Sequence, residues 1–347
     1  MTEDWPVATH LVDPAALARW MDERGLGTGH PIVDAELLVG GTQNILLRFA
    51  RSDRGYVLRR PPEHKRDNSD ETMRREARVL AAIAASDVPH PRFIAGEIGV
   101  EVLGSTFYLM EPVDGFAPGA GLPQLHASDP DIRRRMGLAM ADGIAALGRV
   151  DHDAVGLADF GRPGYLERQV PRWRAHLDSY SRFDGYGEPD IPAVDEVGEW
   201  LEERRPSTWT PGILHGDFHY NNVLFDRDGP TLLAIVDWEL ATIGDPLVDL
   251  GQLIATSPKP GDDGVVGFGP ADGLPSPAEL VEHYAVGSDR DVSNIDWYTV
   301  LACYRLGIIL EGTNARAAAG RAPREIGDQL HATTVALFEQ AAELISV

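Results

Sequence analysis

The most informative part of this sequence is HGDFHYNNVLFD at residues 215–226, which is followed by IVDWE at residues 235–239. Each segment combines apolar residues of strand type with carboxylate or amide side chains. The polar positions that stand out are Asp217, Asn222 and Asp237. Short apolar runs beside them indicate that strands and tight turns hold these side chains in place.

The spacer between the two segments predicts a β-hairpin. Its sequence, RDGP at residues 227–230, has the composition of a turn. We pair Asp226 with Leu233 across this turn. Continued antiparallel register then sets Asn222 opposite Asp237, and cross-strand neighbours lie about 5 Å apart. We therefore expect an amide oxygen and a carboxylate to converge, with a second carboxylate one short loop upstream.

These three side chains suit one kind of chemistry. Hard oxygen ligands such as Asn222 and Asp237 leave most coordination positions open, which suits Mg²⁺ carried in by a phosphate substrate. The upstream carboxylate of Asp217 can accept a proton from an attacking hydroxyl. Metal ligands plus a base are what phosphoryl transfer requires, since the protein does little covalent work in that reaction.

The N-terminal third predicts a mostly antiparallel sheet. A short helix is expected at residues 14–24 and ends at Gly25. Apolar spacing predicts a second helix over residues 69–85, with Ser69 as its N-cap. The strand-like runs around it give the order β-β-β-α-β-β for residues 30–113.

The remaining chain reads as mainly helical, so we divide the protein into an N-terminal lobe, residues 1–113, and a C-terminal lobe, residues 114–347. Residues 256–276 are rich in Gly and Pro and predict a long loop, of the kind that serves as a lid or a binding loop. Helices are expected near residues 129–150, 163–182, 193–204, 277–286, 293–318 and 322–345.

Composition excludes several classes of function. The net charge is −23 and most of the acidic excess lies after residue 113, which argues against binding to nucleic acid or to an anionic membrane surface. The single cysteine, Cys303, excludes an internal disulfide and fits a reducing compartment. The acidic N-terminus has no apolar signal core, and the late apolar run is broken by Arg305. We expect a soluble, cytoplasmic protein with no nucleic-acid or membrane partner.

With these motifs in order, the chain resembles the aminoglycoside phosphotransferase family, which has a protein-kinase-like fold. The likeness spans residues 30–255, and within the family the sequence is most similar to the branch related to the kinase-like domains of acyl-CoA dehydrogenases. The resemblance implies a two-lobed α+β fold with an antiparallel β-sheet N-lobe and a mainly helical C-lobe. The supporting motifs are the glycine turn at 40–41, YVLRRPP at 56–62, REARVL at 75–80, YLMEPVDG at 108–115, GRPGYLERQV at 161–170 and YRLGIILEG at 304–312.

The resemblance assigns roles to residues of this sequence. Asp217 stands in the position of the catalytic base, while Asn222 and Asp237 would hold Mg²⁺. Glu76 matches the helix glutamate that pairs with the phosphate-binding cation. The residues implied in ATP binding are Gly40, Gly41 and Thr42 in the turn over the phosphates, Arg59 and Glu76 beside them, and Met110, Glu111 and Val113 at the hinge that reads adenine.

One position departs from the family pattern. The strand residue is usually lysine, and here it is Arg59; the two lysines of the chain, Lys65 and Lys259, lie outside that strand. Arginine can also bind phosphate, through two parallel hydrogen bonds. Arg60 points to the other face of the strand and is the weaker candidate.

Two histidines have competing interpretations. His215 could act as a base, but a structural role in anchoring the loop is the stronger hypothesis. The spacing of His215 and His219 would suit zinc on a helix, yet the segment lacks the glutamate of the H-E-x-x-H pattern and does not read as helical. Asp245 and Asp249 are expected to cap a helix or brace a loop.

Other features also allow a structural explanation. Gly25, Gly27 and Gly29 form part of a dinucleotide-binding pattern, but they follow a helix rather than a strand, which favours a helix end and loop. The aromatic residues Trp173, Tyr180 and Phe183 could line a substrate cavity, although their helical spacing favours the core. Arg305 and Glu311 could contact substrate, although a mutual or local salt bridge is the plainer account.

The leading hypothesis is an ATP- and Mg²⁺-dependent phosphotransferase that acts on a hydroxyl group of an unidentified small molecule. One alternative is a nucleotide-binding, kinase-like module with little catalysis, because Arg59 replaces the usual lysine. The other alternative is a kinase that inactivates aminoglycosides or related antibiotics. The sequence leaves the acceptor and the oligomeric state open.

Overall fold

The computed structural model describes residues 5–38, 44–187, 190–258 and 268–346. The chain forms two compact units. The first unit consists of Met1–Gly115 together with Leu233–Ala241. The second unit consists of Phe116–Leu232 and Thr242–Val347.

A five-stranded antiparallel sheet organises the first unit, in the order β1-β2-β3-β5-β4. One helix lies between the third and fourth strands in sequence, which confirms the expected order β-β-β-α-β-β. The strands are β1 (Ile32–Leu37), β2 (Ile45–Arg51), β3 (Arg54–Arg60), β4 (Phe93–Glu97) and β5 (Phe107–Met110).

Helix α1 (Pro14–Glu23) packs into the core of this unit. Asp13 caps it by accepting a hydrogen bond from the Ala15 N–H, and Gly25 beyond its end has φ +69°, as expected for a helix-ending glycine. Its buried side chains join those of the strands in one cluster. The main members are Val12, Leu17, Trp20, Met21, Leu47, Phe49, Tyr56, Leu58, Leu103, Phe107 and Leu109.

Helix α2 (Ser69–Ile83) carries Glu76 on its buried side. The sequence predicted Ser69 as the N-cap, but this residue is the first residue of the helix and the N-cap is Asn68. The Ser69 hydroxyl accepts a hydrogen bond from the Arg66 N–H instead, which closes the preceding turn.

The second unit is mainly helical, as expected. Its long central helix α9 packs against α10 and α7. The predicted helices are found with ends within a few residues of expectation, apart from 163–182, which contains one α-helix flanked by short 3₁₀ turns. The helices are α3 (Gln124–Ser128), α4 (Pro130–Gly148), α5 (Gln169–Asp178), α6 (Val194–Glu203), α7 (Leu247–Thr256), α8 (Pro277–Val286), α9 (Ile295–Ala318) and α10 (Arg324–Ile345).

The segment that carries Asp217 lies among short strands. Strand β6 (Gly212–Leu214) pairs antiparallel with β9 (Thr242–Gly244), and the latter was missed in the sequence. The other two strands are β7 (Val223–Phe225) and β8 (Leu232–Ile235).

The predicted hairpin register is wrong. The Asp226 N–H donates to the Thr231 carbonyl at 3.0 Å, so the turn is tighter than the expected pairing of Asp226 with Leu233. Moreover, Asn222 ends a 3₁₀ turn and Asp237 follows the end of β8, so neither residue lies in a strand. Strand register therefore cannot set one opposite the other.

Among the described residues, no helix is both long enough and apolar enough to cross a membrane.

Candidate active site

Asp217 is held by hydrogen bonds to both of its carboxylate oxygens. It lies in the turn after β6, where Gly216 adopts a positive φ of +83°. The Gln252 amide donates to Asp217 Oδ1 at 2.8 Å, and the Asn222 amide donates to Oδ2 at 3.0 Å and to the Asp217 carbonyl at 2.9 Å. The side chain is still 34% exposed, so a substrate group can reach it.

The pKa of Asp217 is lowered from its ordinary value. Burial alone would raise this pKa, but the hydrogen bond and charge of His219, the charge of Arg305 and the hydrogen bond from Gln252 outweigh burial. The His219 Nε2 atom lies 3.4 Å from Asp217 Oδ2. The carboxylate is therefore ionised at neutral pH and ready to accept a hydrogen bond from a hydroxyl.

A buried aspartate fixes the loop before Asp217. The N–H groups of His215 and Gly216 donate to the two carboxylate oxygens of Asp249 at 2.6 and 2.9 Å. Burial raises the pKa of Asp249 to about 7, although both backbone hydrogen bonds and Arg305 oppose the shift. The loop-bracing prediction for Asp249 is confirmed, and Asp245 likewise accepts a hydrogen bond from the Leu247 N–H at the start of α7.

His215 has the structural role that the sequence favoured. The residue is fully buried, and its Nδ1 lies 3.3 Å from the Asp217 N–H, which donates to it. Among the described residues, the group of side chains spaced closely enough to hold a metal ion consists of Glu76, Asp237 and Glu239. This group contains neither His215 nor His219. The zinc hypothesis is therefore unsupported.

Gln252 connects Asp217 to a buried arginine. Its amide nitrogen donates to Asp217, while its oxygen accepts from Arg305 Nη1 at 3.2 Å. Arg305 also donates to the Gly216 carbonyl. The side chain of Gln252 is thus oriented at both ends, and Asp217 is anchored through it to α9.

Of the mutual or local salt bridge expected for Arg305 and Glu311, the mutual pairing is wrong, whereas Glu311 does lie at ion-pair distance from His331. Glu311 is fully buried and accepts hydrogen bonds from Tyr186 and Asn314, each at 2.8 Å, and its other oxygen lies 2.8 Å from His331. Glu311 therefore braces α9 against α10 and the segment after α5, whereas Arg305 belongs to the surroundings of Asp217.

In the first unit, Arg59 is bound by two carboxylates. Its Nε lies 2.8 Å from Glu76 Oε2, and its Nη2 lies 2.7 Å from Asp237 Oδ1. The Tyr108 hydroxyl donates to Glu76 at 3.0 Å. Burial raises the pKa of Glu76 to about 7, although the charge of Arg59 opposes the shift. The helix glutamate and the strand arginine are thus paired, as the resemblance implied.

Asp237 lies in a backbone conformation suited to presenting its side chain. Its φ of +66° is in the left-handed region, which is uncommon for a non-glycine residue and often marks functional positions. Carboxylate oxygens of Asp237, Glu76 and Glu239 lie within 4.8 Å of one another. This set of hard oxygen donors fits Mg²⁺.

The predicted hinge residues lie at the end of β5 and just after it. Met110 ends β5 and pairs with Val57 of β3. The Glu111 N–H donates to the Arg92 carbonyl at 2.9 Å, and its side chain accepts from Arg54 at 2.7 Å. The backbone N–H of Glu111 is therefore already engaged within the first unit. Val113 takes part in none of the hydrogen bonds just described.

The predicted phosphate turn lies outside the described residues, because Gly40, Gly41 and Thr42 fall in the gap between residues 38 and 44.

The sequence interpretation did not predict the contacts that three residues of these networks make. Gln252 could have been recognised as a polar residue within the apolar helix sequence LVDLGQLIAT, where a buried amide needs a partner. Glu239 follows Asp237 by two residues, but no local rule places its carboxylate beside Glu76. His219 was weighed as a zinc ligand, whereas its ring lies against Asp217.

Comparison with a family model gives a match to the phosphotransferase enzyme family (APH) over residues 36–283. The matched region spans more than half of the chain. It contains Asp217, Asn222 and Asp237 as well as the Arg59–Glu76 pair.

The curated relatives are longer proteins. Acyl-CoA dehydrogenase family member 10 of Mus musculus is 28% identical over 344 residues, which cover 96% of this chain and 31% of that protein. Acyl-CoA dehydrogenase family member 11 of Gallus gallus is 29% identical over 315 residues, 88% of this chain and 39% of that protein. The chain thus spans between 31% and 39% of these relatives, and the expected likeness to their branch is confirmed.

A solved structure extends the likeness to three dimensions. A protein from Ralstonia eutropha JMP134 with the provisional name of aminoglycoside phosphotransferase superposes with a TM-score of 0.78 at 27% identity, covering 95% of this chain and 98% of that chain. The expected protein-kinase-like α+β fold, with an antiparallel N-terminal sheet and a mostly helical remainder, is confirmed.

Proposed function

We propose, on the premise that this chain belongs to the phosphotransferase enzyme family, that it is an ATP- and Mg²⁺-dependent kinase that phosphorylates a hydroxyl group of a small molecule. The observation that carries the proposal is the state of Asp217. Its carboxylate is ionised, oriented from both sides by amide donors and still accessible.

Asp217 is the proposed base. An ionised carboxylate offers about four acceptor positions, so the hydrogen bonds from Gln252 and Asn222 leave room for one from the acceptor hydroxyl. A lowered pKa makes Asp217 a weak base, which suits phosphoryl transfer because the hydroxyl loses its proton late in a loose transition state. Asp217 would therefore first orient the hydroxyl and then take its proton.

The proposed reaction balances without a redox partner. The acceptor oxygen forms a bond to the γ-phosphorus of ATP, and the bond from that phosphorus to the β–γ bridging oxygen breaks. ADP leaves with the electron pair of the broken bond, and the hydroxyl proton passes to Asp217. In the same proposal Asn222 and Asp237 are the Mg²⁺ ligands, and the bound cation would neutralise phosphate charge.

Arg59 is the proposed phosphate-binding cation in place of lysine. Its guanidinium is oriented by Glu76 and Asp237, so it is held in one conformation before a nucleotide arrives. Preorganisation of this kind lowers the entropic cost of binding. We further propose that Gly40, Gly41 and Thr42 contact the phosphates, and that Met110, Glu111 and Val113 form the adenine hinge.

Two measurements made in parallel test this proposal. Calorimetry measures binding of Mg·ATP, with Mg·GTP alongside, while mass spectrometry follows transfer of phosphate to a panel of hydroxyl compounds. We expect binding of Mg·ATP together with formation of ADP and one class of phosphorylated product. Tight binding without transfer would instead favour the nucleotide-binding module, and absence of nucleotide binding would contradict both hypotheses.

A further inference from the structure

His219 lies beside Asp217, and the proposed reaction gives it no task. Its side chain is 18% exposed, whereas its two neighbours in the sequence, Phe218 and Tyr220, are buried. These two aromatic side chains anchor the chain on both sides of His219. The backbone that carries the imidazole is therefore fixed by the core of the second unit.

Local hydrogen bonds decide which ring nitrogen of His219 carries the hydrogen. The Asn221 N–H donates to His219 Nδ1 at 3.2 Å, so His219 caps the short 3₁₀ turn Tyr220–Asn222. A nitrogen that accepts a hydrogen bond carries no hydrogen, so the hydrogen of the neutral ring is on Nε2. Nε2 lies 3.4 Å from Asp217 Oδ2. The imidazole thus presents an N–H group to the carboxylate.

Asn222 also approaches the imidazole, with its amide nitrogen 3.3 Å from His219 Nε2. Both hydrogens of that amide are already used. One is donated to the Asp217 carbonyl at 2.9 Å and the other to Asp217 Oδ2 at 3.0 Å. Because Asn222 has no hydrogen left for Nε2, the imidazole meets Oδ2 as a donor and not Asn222 as an acceptor.

The donors around Asp217 are divided unequally between its two oxygens. Each oxygen of an ionised carboxylate has about two acceptor positions. Oδ2 faces the Asn222 amide and the His219 ring, while Oδ1 accepts from the Gln252 amide at 2.8 Å. Among the contacts of the described residues, the position that stays open is therefore on Oδ1.

We infer that His219 is a positioning residue for Asp217: its Nε2–H occupies the second acceptor position of Oδ2, so that the acceptor hydroxyl binds at Oδ1. The inference rests on the proposed function for the role of Asp217 as the base. His219 acts through Asp217 and takes no proton itself, because Nδ1 is engaged with the backbone and Nε2 already carries a hydrogen. At 3.4 Å the contact is longer than the usual range of about 2.7–3.2 Å, so its effect should be smaller than that of a short hydrogen bond.

Two substitutions separate positioning of Asp217 from capping of the turn, because asparagine and glutamine each retain one half of the imidazole. In His219→Asn the side-chain oxygen can still accept from the N–H two residues along the chain, but no donor reaches Asp217. In His219→Gln the longer amide can place an N–H near the position of Nε2, whereas the short cap is lost. The control is His64→Asn, at an exposed histidine of the first unit.

Turnover is measured as formation of ADP from Mg·ATP with water as the phosphoryl acceptor, because the natural acceptor is unidentified. The water oxygen bonds to the γ-phosphorus, ADP leaves with the electron pair of the broken bond, and the water proton passes to Asp217. We expect kcat to fall about tenfold in His219→Asn and no more than about twofold in His219→Gln, at unchanged KM for ATP. Thermal unfolding should rank them the other way, with His219→Gln about 2–4 °C below His219→Asn, since only the glutamine variant loses the cap.

Crystal structures of the wild type and the two His219 variants give a second result that needs no turnover. We expect one conformation of the Asp217 side chain in the wild type and in His219→Gln, and a rotated or divided side chain in His219→Asn. An unchanged Asp217 in His219→Asn would overturn the inference, as would a kcat of this variant equal to that of His64→Asn. A kcat that follows stability, lower in His219→Gln than in His219→Asn, would also overturn it.

The two readouts distinguish failure of this inference from failure of the proposed function. Absence of both ADP formation and phosphoryl transfer in the wild type would reject the kinase. The crystal structures would then decide by themselves whether His219 positions Asp217. Transfer by the wild type with an undisturbed Asp217 in His219→Asn would instead retain the kinase and reject the role of His219.

Discussion

Removal of Arg59 tests the buried pair that organises the first unit. In Arg59→Met, Glu76 keeps the hydrogen bond from Tyr108 but loses its ion-pair partner, and Asp237 loses the contact at 2.7 Å. Breaking a buried pair by removing one partner costs about 3–5 kcal/mol of unfolding free energy. The pKa of Glu76 is already raised to about 7, so without Arg59 this carboxylate can take up a proton at neutral pH. We therefore expect the loss of unfolding free energy at pH 7 to lie at the lower end of that range.

A second substitution tests whether the unpaired charge of Glu76 causes this loss of stability. Glu76→Gln removes the buried charge while its amide oxygen can still accept from Tyr108, so the double variant Arg59→Met/Glu76→Gln should be more stable than Arg59→Met by about 1–2 kcal/mol. Urea unfolding at pH 7 measures all three variants, with the exposed Arg66→Met as the control. Equal stability of Arg59→Met and the control, or additive losses in the double variant, would refute the reasoning.

Two further predictions concern the second unit. Gln252→Leu removes a hydrogen-bond donor to Asp217 and an acceptor for Arg305. We expect kcat to fall about 10–100-fold at unchanged ATP affinity, because each 1.36 kcal/mol of activation free energy changes the rate tenfold. Steady-state kinetics that show an unchanged kcat would contradict this prediction. Burial raises the pKa of Asp249 to about 7, so the folded state keeps a proton that the unfolded chain releases near pH 4, and stability should fall as pH rises between these values. Urea unfolding at several pH values in this window should show a smaller fall for Asp249→Asn, and equal slopes would count against the assignment.

Strand geometry explains why part of the site could be predicted from sequence. Side chains alternate between the two faces of a strand, so Arg59 and Arg60 had to point in opposite directions. The structure shows this: Arg59 meets Glu76, whereas Arg60 donates to the carbonyls of Leu11 and Leu103. The order of strands and helices followed from periodicity in the same way.

The predictions from sequence were wrong at two places, one set by the geometry of a tight turn and the other by the geometry of a helix. The hairpin register depends on which residues close the turn, and Asp226 bonds to Thr231 rather than pairing with Leu233. Arg305 and Glu311 are six residues apart on α9, so at about 100° per residue they point roughly 120° apart and cannot pair. Helical spacing alone could have excluded that salt bridge.

Contacts between distant parts of the chain could not be predicted. Gln252 is 35 residues from Asp217 along the chain, and no local pattern specifies that the two side chains meet. The same holds for Arg172 and Arg305, which come from different helices and share Trp173. These contacts depend on how helices pack, which a single sequence does not encode in a readable local signal.

Replacement of Asp217 by asparagine tests the central claim most directly. General-base assistance contributes about 10²–10⁴-fold to rate, so Asp217→Asn should lose phosphoryl transfer by that factor. Because the proposed nucleotide contacts lie elsewhere, calorimetry should show Mg·ATP bound as tightly as in the exposed-site control Asp190→Asn. Transfer by Asp217→Asn at the rate of the Asp190→Asn control would contradict the claim that Asp217 is the base.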